Sequence, residues 1–525
     1  MQLRKNLLST SRHPIAASPA LQVFGQLVSF LVTTLDKGSG SDVVVRIEAT
    51  RLIEQIILQP SFQADLLLPV IVPIFESLCS LTTNLDEPEM QAPVVRLMGA
   101  LVDTLGVKLR LLLEPLAWHL QVLWQASDSN SPVRCCILDA LTKMVKTSGK
   151  ASASLHGLAL PLVASACSGE DATAHLSGDG VALCLAVMRN LPSPDAYCEA
   201  LDALLPLCVR CLFLQLGGDE DNESGSHLRA RSPDDDMRRV MLICEAYAIT
   251  DGPRVLFANA AVLSEALQRL IGAVKATLVE YIARPIEALF LSCPTDAGRF
   301  LQQSGALHSI LRTCVASVPQ FASVASLGEH REEDVVLVSY LSIFARMLLT
   351  DAAQIMPAAR SICAECLAAD AAGSLTGLDE SILVKCLVRL MIDKFDAVGS
   401  CTAGMWRRRL WCLSLLSLYP HTHIVAEWFP EVYNIAVDVL AEDATEEGQR
   451  RKDGLLQALM GGDGDMAGCN DDDDDDEDNG RAAAADEPEP ITETFGRLLS
   501  ADVVMASDVQ AVMQAKVQAM QTIGP

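Results

Sequence analysis

The residue types that most often do chemistry occur in this sequence only in incomplete sets. Two Cys-x-x-Cys pairs, Cys208–Cys211 and Cys363–Cys366, each offer two thiols on one helical face, whereas a zinc site needs four ligands. The acidic stretch at Asp219 imitates the start of a calcium loop, but Ala230 stands where that loop needs a bidentate glutamate. The sequence contains no Walker lysine motif, nucleophile elbow or His-Glu-x-x-His. We therefore predict a protein that is not an enzyme and uses no cofactor or metal.

The residues that could form a binding site make up more complete sets than the residues that could form a catalytic site. Arg407, Arg408 and Arg409 lie between Trp406 and Trp411 on a predicted helix. Because guanidinium groups bind carboxylates in a bidentate geometry, this arginine cluster could clamp an acidic peptide. The alternative is a basic solvated face whose tryptophans pack inside. Both hypotheses stay open from the sequence alone.

A run of eight consecutive acidic residues is the second candidate for partner binding. It comprises Asp471, Asp472, Asp473, Asp474, Asp475, Asp476, Glu477 and Asp478. Such a run could attract basic protein cargo by electrostatic steering, or occupy the protein's own concave surface when no cargo is bound, or simply solvate a disordered loop. The whole chain carries 67 acidic and 40 basic residues, a net charge of −27. This field repels nucleic acid and anionic membrane surfaces, so we expect basic proteins as partners, no nucleic acid and no membrane insertion.

Helices are the elements that would position these residues. Apolar residues recur at helical spacing, for example Val94, Leu97, Leu101 and Leu105, and aromatic residues make up only 5% of the chain. The predicted helices come in pairs of roughly 40 residues, the period of HEAT and armadillo arrays, although no repeated residue signature is evident. We predict an all-α solenoid of about ten HEAT-, armadillo- or TPR-like helical hairpins, wound into an armadillo-type superhelix. The 17 scattered cysteines indicate reduced thiols in the cytosol or nucleus.

The pattern divides the chain into six segments. They are an N-terminal helix and linker over 1–42, helical repeats over 43–216, an acidic and polar loop over 217–236, helical repeats over 237–444, an acidic disordered loop over 445–490, and a C-terminal helix over 491–525. The two loops are predicted from their composition, because dense like charge and Gly- and Ser-rich sequence do not form a packed core.

Two stretches of the sequence carry residues in a distinctive order and spacing. The first comprises Leu109-Arg110, Glu114-Pro115, Leu123-Trp124-Gln125-Ala126-Ser127, Arg134-Cys135-Cys136-Ile137-Leu138 and Leu176-Ser177-Gly178-Asp179-Gly180. The second comprises Ile392-Asp393-Lys394-Phe395-Asp396, the cluster from Arg407 to Leu410, Leu415-Leu416-Ser417-Leu418 and Pro420. From about Val43 to Leu440 the chain resembles the C-terminal half of the importin-beta (karyopherin) family, specifically its importin-eleven branch.

The resemblance implies a nuclear transport receptor that shuttles between nucleus and cytoplasm through the nuclear pore. Such a receptor binds protein cargo, contacts phenylalanine-glycine nucleoporins and releases cargo in response to the small GTPase Ran. Family members are longer and carry their main Ran-binding surface in N-terminal repeats, so we expect either a fragment or a shortened relative. The alternative function is a cytosolic helical-repeat scaffold or regulatory subunit without a role in transport.

Overall fold

The computed structural model contains helices, and no β-strand occurs among the residues that it describes. Those residues are 33–34, 42–59, 62–128, 132–169, 175–216, 233–322, 331–369, 379–399, 404–419, 423–445 and 489–523. The predicted all-α class is confirmed. Contacts divide the chain into two compact units: unit 1 lies within Met1–Val240 and Asp473–Pro490, and unit 2 lies within Met241–Asp472 and Ile491–Pro525.

Unit 1 is built from helical hairpins. Its helices are α1 (Val43–Ile57), α2 (Ile71–Thr83), α3 (Pro88–Leu105), α4 (Arg110–Ala126), α5 (Pro132–Ser148), α6 (Ala153–Ala166), α7 (Ser177–Arg189) and α8 (Glu199–Leu216). Odd-numbered helices pack side by side in one layer, and even-numbered helices α2, α4, α6 and α8 pack side by side in a second layer. This two-layered stacking of hairpins is the arrangement of a solenoid, as the helical period predicts.

The apolar stripe from which the sequence predicts helix α3 is the face that the fold buries. Val94, Leu97, Leu101 and Leu105 are all buried, and α3 packs against α1 and α5 in its own layer and against α2 in its hairpin. An amphipathic helix with such a stripe gains most of its stability from this packing rather than from intrinsic propensity.

Unit 2 begins inside a long helix that starts in unit 1. Its helices are α9 (Pro233–Leu270), α10 (Ala276–Ser292), α11 (Pro294–Gln303), α12 (Ala306–Ala322), α13 (Arg331–Ala369), α14 (Glu380–Asp393), α15 (Phe395–Val398), α16 (Gly404–Ser417), α17 (Phe429–Asp443), α18 (Pro490–Ala501), α19 (Val503–Ala506) and α20 (Val509–Ile523). In this unit α10, α13 and α16 pack side by side, and α13 also packs against α12 and α14. The C-terminal helices α19 and α20 pack on α16, and α20 also packs on α17.

Two long helices of the chain are broken at equivalent residues. Helix α9 has non-helical angles at Asp251 (φ −157°, ψ 76°), and α13 has nearly the same angles at Asp351 (φ −159°, ψ 80°). Thr250 and Thr350 precede the two aspartates. The repeated Thr-Asp dipeptide is a residue signature that the sequence analysis missed, because two residues one hundred positions apart do not stand out among degenerate helices.

The same two side-chain bonds form at each break. In α13 the Thr350 hydroxyl donates to the carbonyl oxygen of Arg346 at 2.9 Å, and the Asp351 carboxylate accepts from the backbone N–H of Gln354 at 3.0 Å. The α9 break repeats both bonds at Thr250 and at its aspartate. The chain leaves helical angles at each aspartate, whose carboxylate caps the helix that follows, so each long helix is in fact a pair.

The structure differs from the predicted segments at two places. Helix α9 begins at Pro233, inside the predicted loop 217–236, because a proline in the first turn followed by three aspartates favours a helix N-terminus. The predicted C-terminal helix 491–525 is three helices, interrupted at Asp502 and at Ser507, with the Asp508 carboxylate capping α20. Residues 1–32, 217–232 and 446–488 lie outside the described part, so the N-terminal helix and the bodies of both loops stay predictions.

One described helix, Asp334–Ala369 within α13, is long and apolar enough by composition to cross a membrane. In the structure 67% of its apolar window is buried inside the protein, and the helix is broken at Asp351. Both properties are those of a core helix.

Candidate partner-binding surfaces

The predicted arginine cluster lies in the first two turns of α16, inside unit 2. Trp406, Arg407, Arg409 and Trp411 are buried, and Arg408 is nearly so, with 11% of its side chain exposed. The hypothesis that the tryptophans pack inside is confirmed. The accompanying hypothesis of a basic solvated face is wrong, because each arginine finds acidic or carbonyl oxygen partners within the unit.

Arg407 pairs with two carboxylates on α10. Its Nη2 lies 3.3 Å from Oε1 of Glu287, and its Nη1 lies 3.7 Å from Oε1 of Glu280. Burial raises the pKa of the Glu287 carboxyl, and the positive charge of Arg407 opposes that shift. Removing either member of this buried ion pair would leave the other charge uncompensated, so we expect the contact between α16 and α10 to depend on both.

Arg408 joins α15 to α17. Its guanidinium carbon lies 4.2 Å from the ring centroid of Phe395, a cation–π contact, and its Nη2 lies 2.8 Å from Oε1 of Glu442. The planar guanidinium serves both contacts at once, which the ammonium group of a lysine would not do.

Arg409 reaches the C-terminal segment of unit 2. Its Nε donates to the carbonyl oxygen of Val504 at 2.6 Å, and its guanidinium also donates to the carbonyl oxygen of Ser507 and pairs with Asp443. These two carbonyls belong to the end of α19, where helix carbonyls have no intrahelical partner. Arg409 therefore caps a helix C-terminus with a positive charge.

The two tryptophans hold α13 against α16. Trp411 donates from Nε1 to the Ser342 hydroxyl at 2.9 Å, and the Trp406 ring lies 5.0 Å from the guanidinium carbon of Arg346. The cluster is thus the node at which α10, α13, α16, α17 and the C-terminal helices meet. Partner binding by these residues stays a prediction, as does partner binding by the acidic run 471–478, which lies outside the described residues.

The motif around Trp124 closes the turn between α4 and α5. The Arg134 guanidinium lies 4.6 Å from the Trp124 ring centroid, and its Nη2 donates to the carbonyl oxygen of Ser127 at 2.7 Å. The residues that carry the family resemblance therefore stabilise the fold here, since they close the turn at which one helix ends and the next begins.

An exposed apolar stripe on α4 is a surface that the sequence analysis missed. Leu111, Trp118 and Val122 are 56%, 65% and 61% exposed and lie on one face of the helix, at positions i, i+7 and i+11. Leu113, Leu116 and Leu120 fill the opposite, buried face. A helix that is apolar on two faces is the signal that could have revealed this α4 stripe, because a helix that only packs on one core needs a single apolar face.

The Cys-x-x-Cys thiols behave as core residues. Cys208, Cys211 and Cys363 are buried, and burial raises the pKa of the Cys363 thiol to about 12, so it stays protonated at neutral pH. Within the described parts of the chain, no group of three or more His, Cys, Asp or Glu side chains could hold a metal ion.

Comparison with known proteins identifies the family. The model of the family described as "Importin-11-like, TPR repeats" matches residues 135–216 and 230–525. The chain belongs to the importin-11-like family. The importin-beta resemblance, which the motifs around Trp124 and Arg407 carry, is confirmed.

This importin-11-like chain spans less than half the length of the curated relatives it matches. Mouse (Mus musculus) importin-11 is 22% identical over 421 residues, which cover 79% of this chain and 38% of the mouse protein. Human (Homo sapiens) importin-11 is 26% identical over 152 residues, which cover 29% of this chain and 16% of the human protein. These relatives are named as importins, not as enzymes.

A solved structure has the same fold as this importin-11-like chain. It is that of Lph2, a bidirectional nuclear transport receptor of S. cerevisiae, with a TM-score of 0.69 at 12% sequence identity. The likeness covers 99% of this chain and 51% of the receptor. At that identity the likeness shows the solenoid fold alone, so the predicted α-solenoid is confirmed.

Proposed function

We propose that this importin-11-like chain acts in nuclear transport, binding protein cargo for import into the nucleus and releasing it in response to Ran. The observation that carries the proposal is the family match over two blocks that together cover most of the chain. A hairpin array suits this role, because stacked repeats present long surfaces on which a partner protein can lie.

Charge selects the class of cargo. The net charge of −27 favours basic protein segments, such as those rich in lysine and arginine. Attraction of this kind weakens with salt, since the Debye length is about 8 Å at physiological ionic strength and shorter above it. We expect saturable binding of basic cargo that falls as salt is raised.

The α4 stripe is the surface that we assign to phenylalanine-glycine nucleoporins. Trp118 and its neighbours Leu111 and Val122 offer exposed apolar area to which phenylalanine rings can bind, with aromatic pairing at Trp118. Weak contacts of this kind would let the protein enter the pore, and they account for its proposed shuttling between nucleus and cytoplasm.

A pull-down from cell extract tests the proposal. The full chain is immobilised and incubated with extract, with Ran bound to a non-hydrolysable GTP analogue or with Ran-GDP as the matched control, and bound cargo and bound Ran are both measured. Release of basic cargo by Ran-GTP alone supports the whole proposal. Cargo that stays bound with either form of Ran contradicts Ran-linked release. The absence of saturable cargo binding contradicts the transport role.

The alternative is a helical-repeat scaffold or regulatory subunit in the cytosol. The burial of the arginine cluster favours this scaffold function, because the residues that were predicted to bind partners pack inside unit 2 instead. A fluorescently tagged chain separates the two functions, since a receptor accumulates at the nuclear rim and a scaffold does not.

A further inference from the structure

The C-terminal segment of unit 2 packs in a cleft that α13, α16 and α17 form. It runs from Ile491 to Ile523, through α18, α19 and α20, and follows residues 446–488, which separate it in sequence from α17. The cleft that receives it has two cationic side chains, Arg346 on α13 and Arg409 on α16, and Arg409 is also paired with Asp443 on α17.

The first element of recognition is a carboxylate held by a guanidinium. Nη1 and Nη2 of Arg346 donate to Oδ1 and Oδ2 of Asp502 at 2.7 and 2.9 Å, and both side chains are buried. Asp502 lies at the break between α18 and α19, with extended backbone angles (φ −63°, ψ 139°) that aim its side chain out of the helical path. A bidentate pair of this kind fixes register as well as affinity.

The second element is the end of a single helical turn. Arg409 donates to the carbonyl oxygens of Val504 and Ser507, and the Val504 side chain between these contacts is fully buried. The cleft therefore recognises a short pattern: an aspartate, an apolar residue two positions later, and a helical turn that ends four positions later.

The third element is a narrow apolar stripe. Ile491, Phe495 and Leu499 recur every four residues on α18 and are buried, and Val509 and Met513 continue the pattern on α20. Leu498 on α18 and Val512, Val517 and Met520 on α20 are half-buried, and polar or exposed residues fill most of the remaining positions. The apolar residues supply burial, and the two arginines fix the register of the segment.

We propose that the cleft of Arg346 and Arg409 is a binding site for helical peptides that present one aspartate, and that the C-terminal segment occupies it as an intrachain ligand. Displacing the segment leaves the Arg346 guanidinium beside Trp406 without the carboxylate of Asp502, which favours the entry of another carboxylate. The partner that fits is a peptide with an aspartate ahead of a one-turn helix and an apolar residue two positions after that aspartate.

A competition experiment with the full chain tests this proposal. The probe is a fluorescently labelled synthetic peptide of residues 489–523, and its binding is followed by fluorescence anisotropy. Wild-type chain, whose own segment fills the cleft, is expected to bind the probe weakly. The Asp502→Ala chain, whose segment has lost its anchoring carboxylate, is expected to bind the probe at least about tenfold more tightly.

Two controls make the result specific. A probe that carries Asp502→Ala is expected to lose the gain, whereas a probe that carries Asp508→Ala keeps most of it, because Asp508 is exposed and caps α20. A Val509→Ala chain weakens the docking of the segment through α20, which packs on α16 and α17, and it should also bind the wild-type probe more tightly. Hydrogen exchange in α10 shows that each variant chain is folded.

Equal affinity of the probe for the wild-type chain and for both variant chains would overturn the proposal. So would equal binding of the wild-type probe and of the probe that carries Asp502→Ala. Neither readout involves nuclear transport, so failure here is distinct from failure of the transport proposal.

Discussion

Arg346 and Asp502 lie 156 residues apart in the sequence and form a buried bidentate ion pair, with N–O distances of 2.7 and 2.9 Å and side chains that are 2% and 4% exposed. The pair fastens the C-terminal helices to α13, the helix at the centre of unit 2. Burying two charges costs desolvation free energy, which their mutual attraction only roughly offsets, but an isolated buried charge is strongly unfavourable.

Asp502→Ala is therefore expected to lower the free energy of unfolding of unit 2 by about 3–5 kcal/mol. The double replacement Arg346→Met with Asp502→Leu, which removes both charges and keeps apolar volume, is expected to recover most of that loss. Urea unfolding of the two variants and of the wild type measures this. If the double variant is as unstable as the single one, the loss of stability does not come from the uncompensated charge of Arg346, and the prediction is contradicted.

Arg134→Lys is expected to destabilise unit 1 by about 1–2 kcal/mol, because a lysine does not reproduce the cation–π contact with Trp124 together with the bond to Ser127. The control is Arg51→Lys, since Arg51 is exposed and pairs with Glu48 on its own helix. For that change we expect less than about 0.5 kcal/mol. Thermal unfolding compares the two, and equal shifts in Tm would contradict the role of Arg134.

Two glycines in neighbouring helices should respond to alanine in opposite directions. A Cβ on Gly180 would lie 2.8 Å from Cβ of Ala166 and 3.0 Å from Sγ of Cys167, so Gly180→Ala is expected to cost about 1–3 kcal/mol through overpacking of α6 and α7. Gly157 lies within α6 with no heavy atom within 4 Å of the added Cβ, and Gly157→Ala is expected to gain about 0.5–1 kcal/mol. Denaturant unfolding measures both; destabilisation by both changes would contradict the open site at Gly157.

The stability of unit 1 should fall with pH below neutrality. Burial lowers the pKa of His119 from its ordinary value of 6.5, and Nε2 of His119 lies 2.7 Å from the Thr82 hydroxyl. As the pH falls through 6.5 the unfolded chain gains a proton that the folded unit does not bind, so stability is full above that pH and declines until the lowered pKa is reached.

His119→Gln removes this titrating group and should flatten the dependence of the unfolding midpoint between pH 7 and pH 5. Burial also lowers the pKa of His156, so part of the dependence remains in this variant. If the unfolding midpoint of the variant depends on pH as steeply as that of the wild type, His119 is not a source of the pH dependence.

The sequence predicts the helical architecture well, because the stripe from Val94 to Leu105 is the physical cause of the packing of α3. The turn signal Asp251-Gly252-Pro253 predicts the break in α9, but the break at Asp351 was missed because Ala352 and Ala353, which follow it, favour a continuous helix. The interruption at Asp502 was missed because neither glycine nor proline follows it.

The candidate surfaces were harder to predict than the fold. An Arg-rich run between two tryptophans predicts carboxylate binding, but whether those carboxylates belong to a partner or to the same chain depends on contacts between residues far apart in sequence, such as Arg409 and Val504. The α4 stripe was missed because Trp118 and Leu120 look alike in an apolar pattern, and only the packing of the neighbouring helices decides which of them is exposed.

The central claim is that the chain is a transport receptor, and nucleoporin binding at the α4 stripe tests it most directly. The measurement is the binding of the full chain to beads coated with phenylalanine-glycine repeats, for the wild type, for the triple variant Leu111→Ser, Trp118→Ser and Val122→Ser, and for the control Phe257→Ser. Phe257 is 93% exposed in unit 2, outside the α4 stripe. We predict that the wild type and the control bind and that the triple variant binds several-fold more weakly; a wild-type chain that does not bind the beads would contradict the claim.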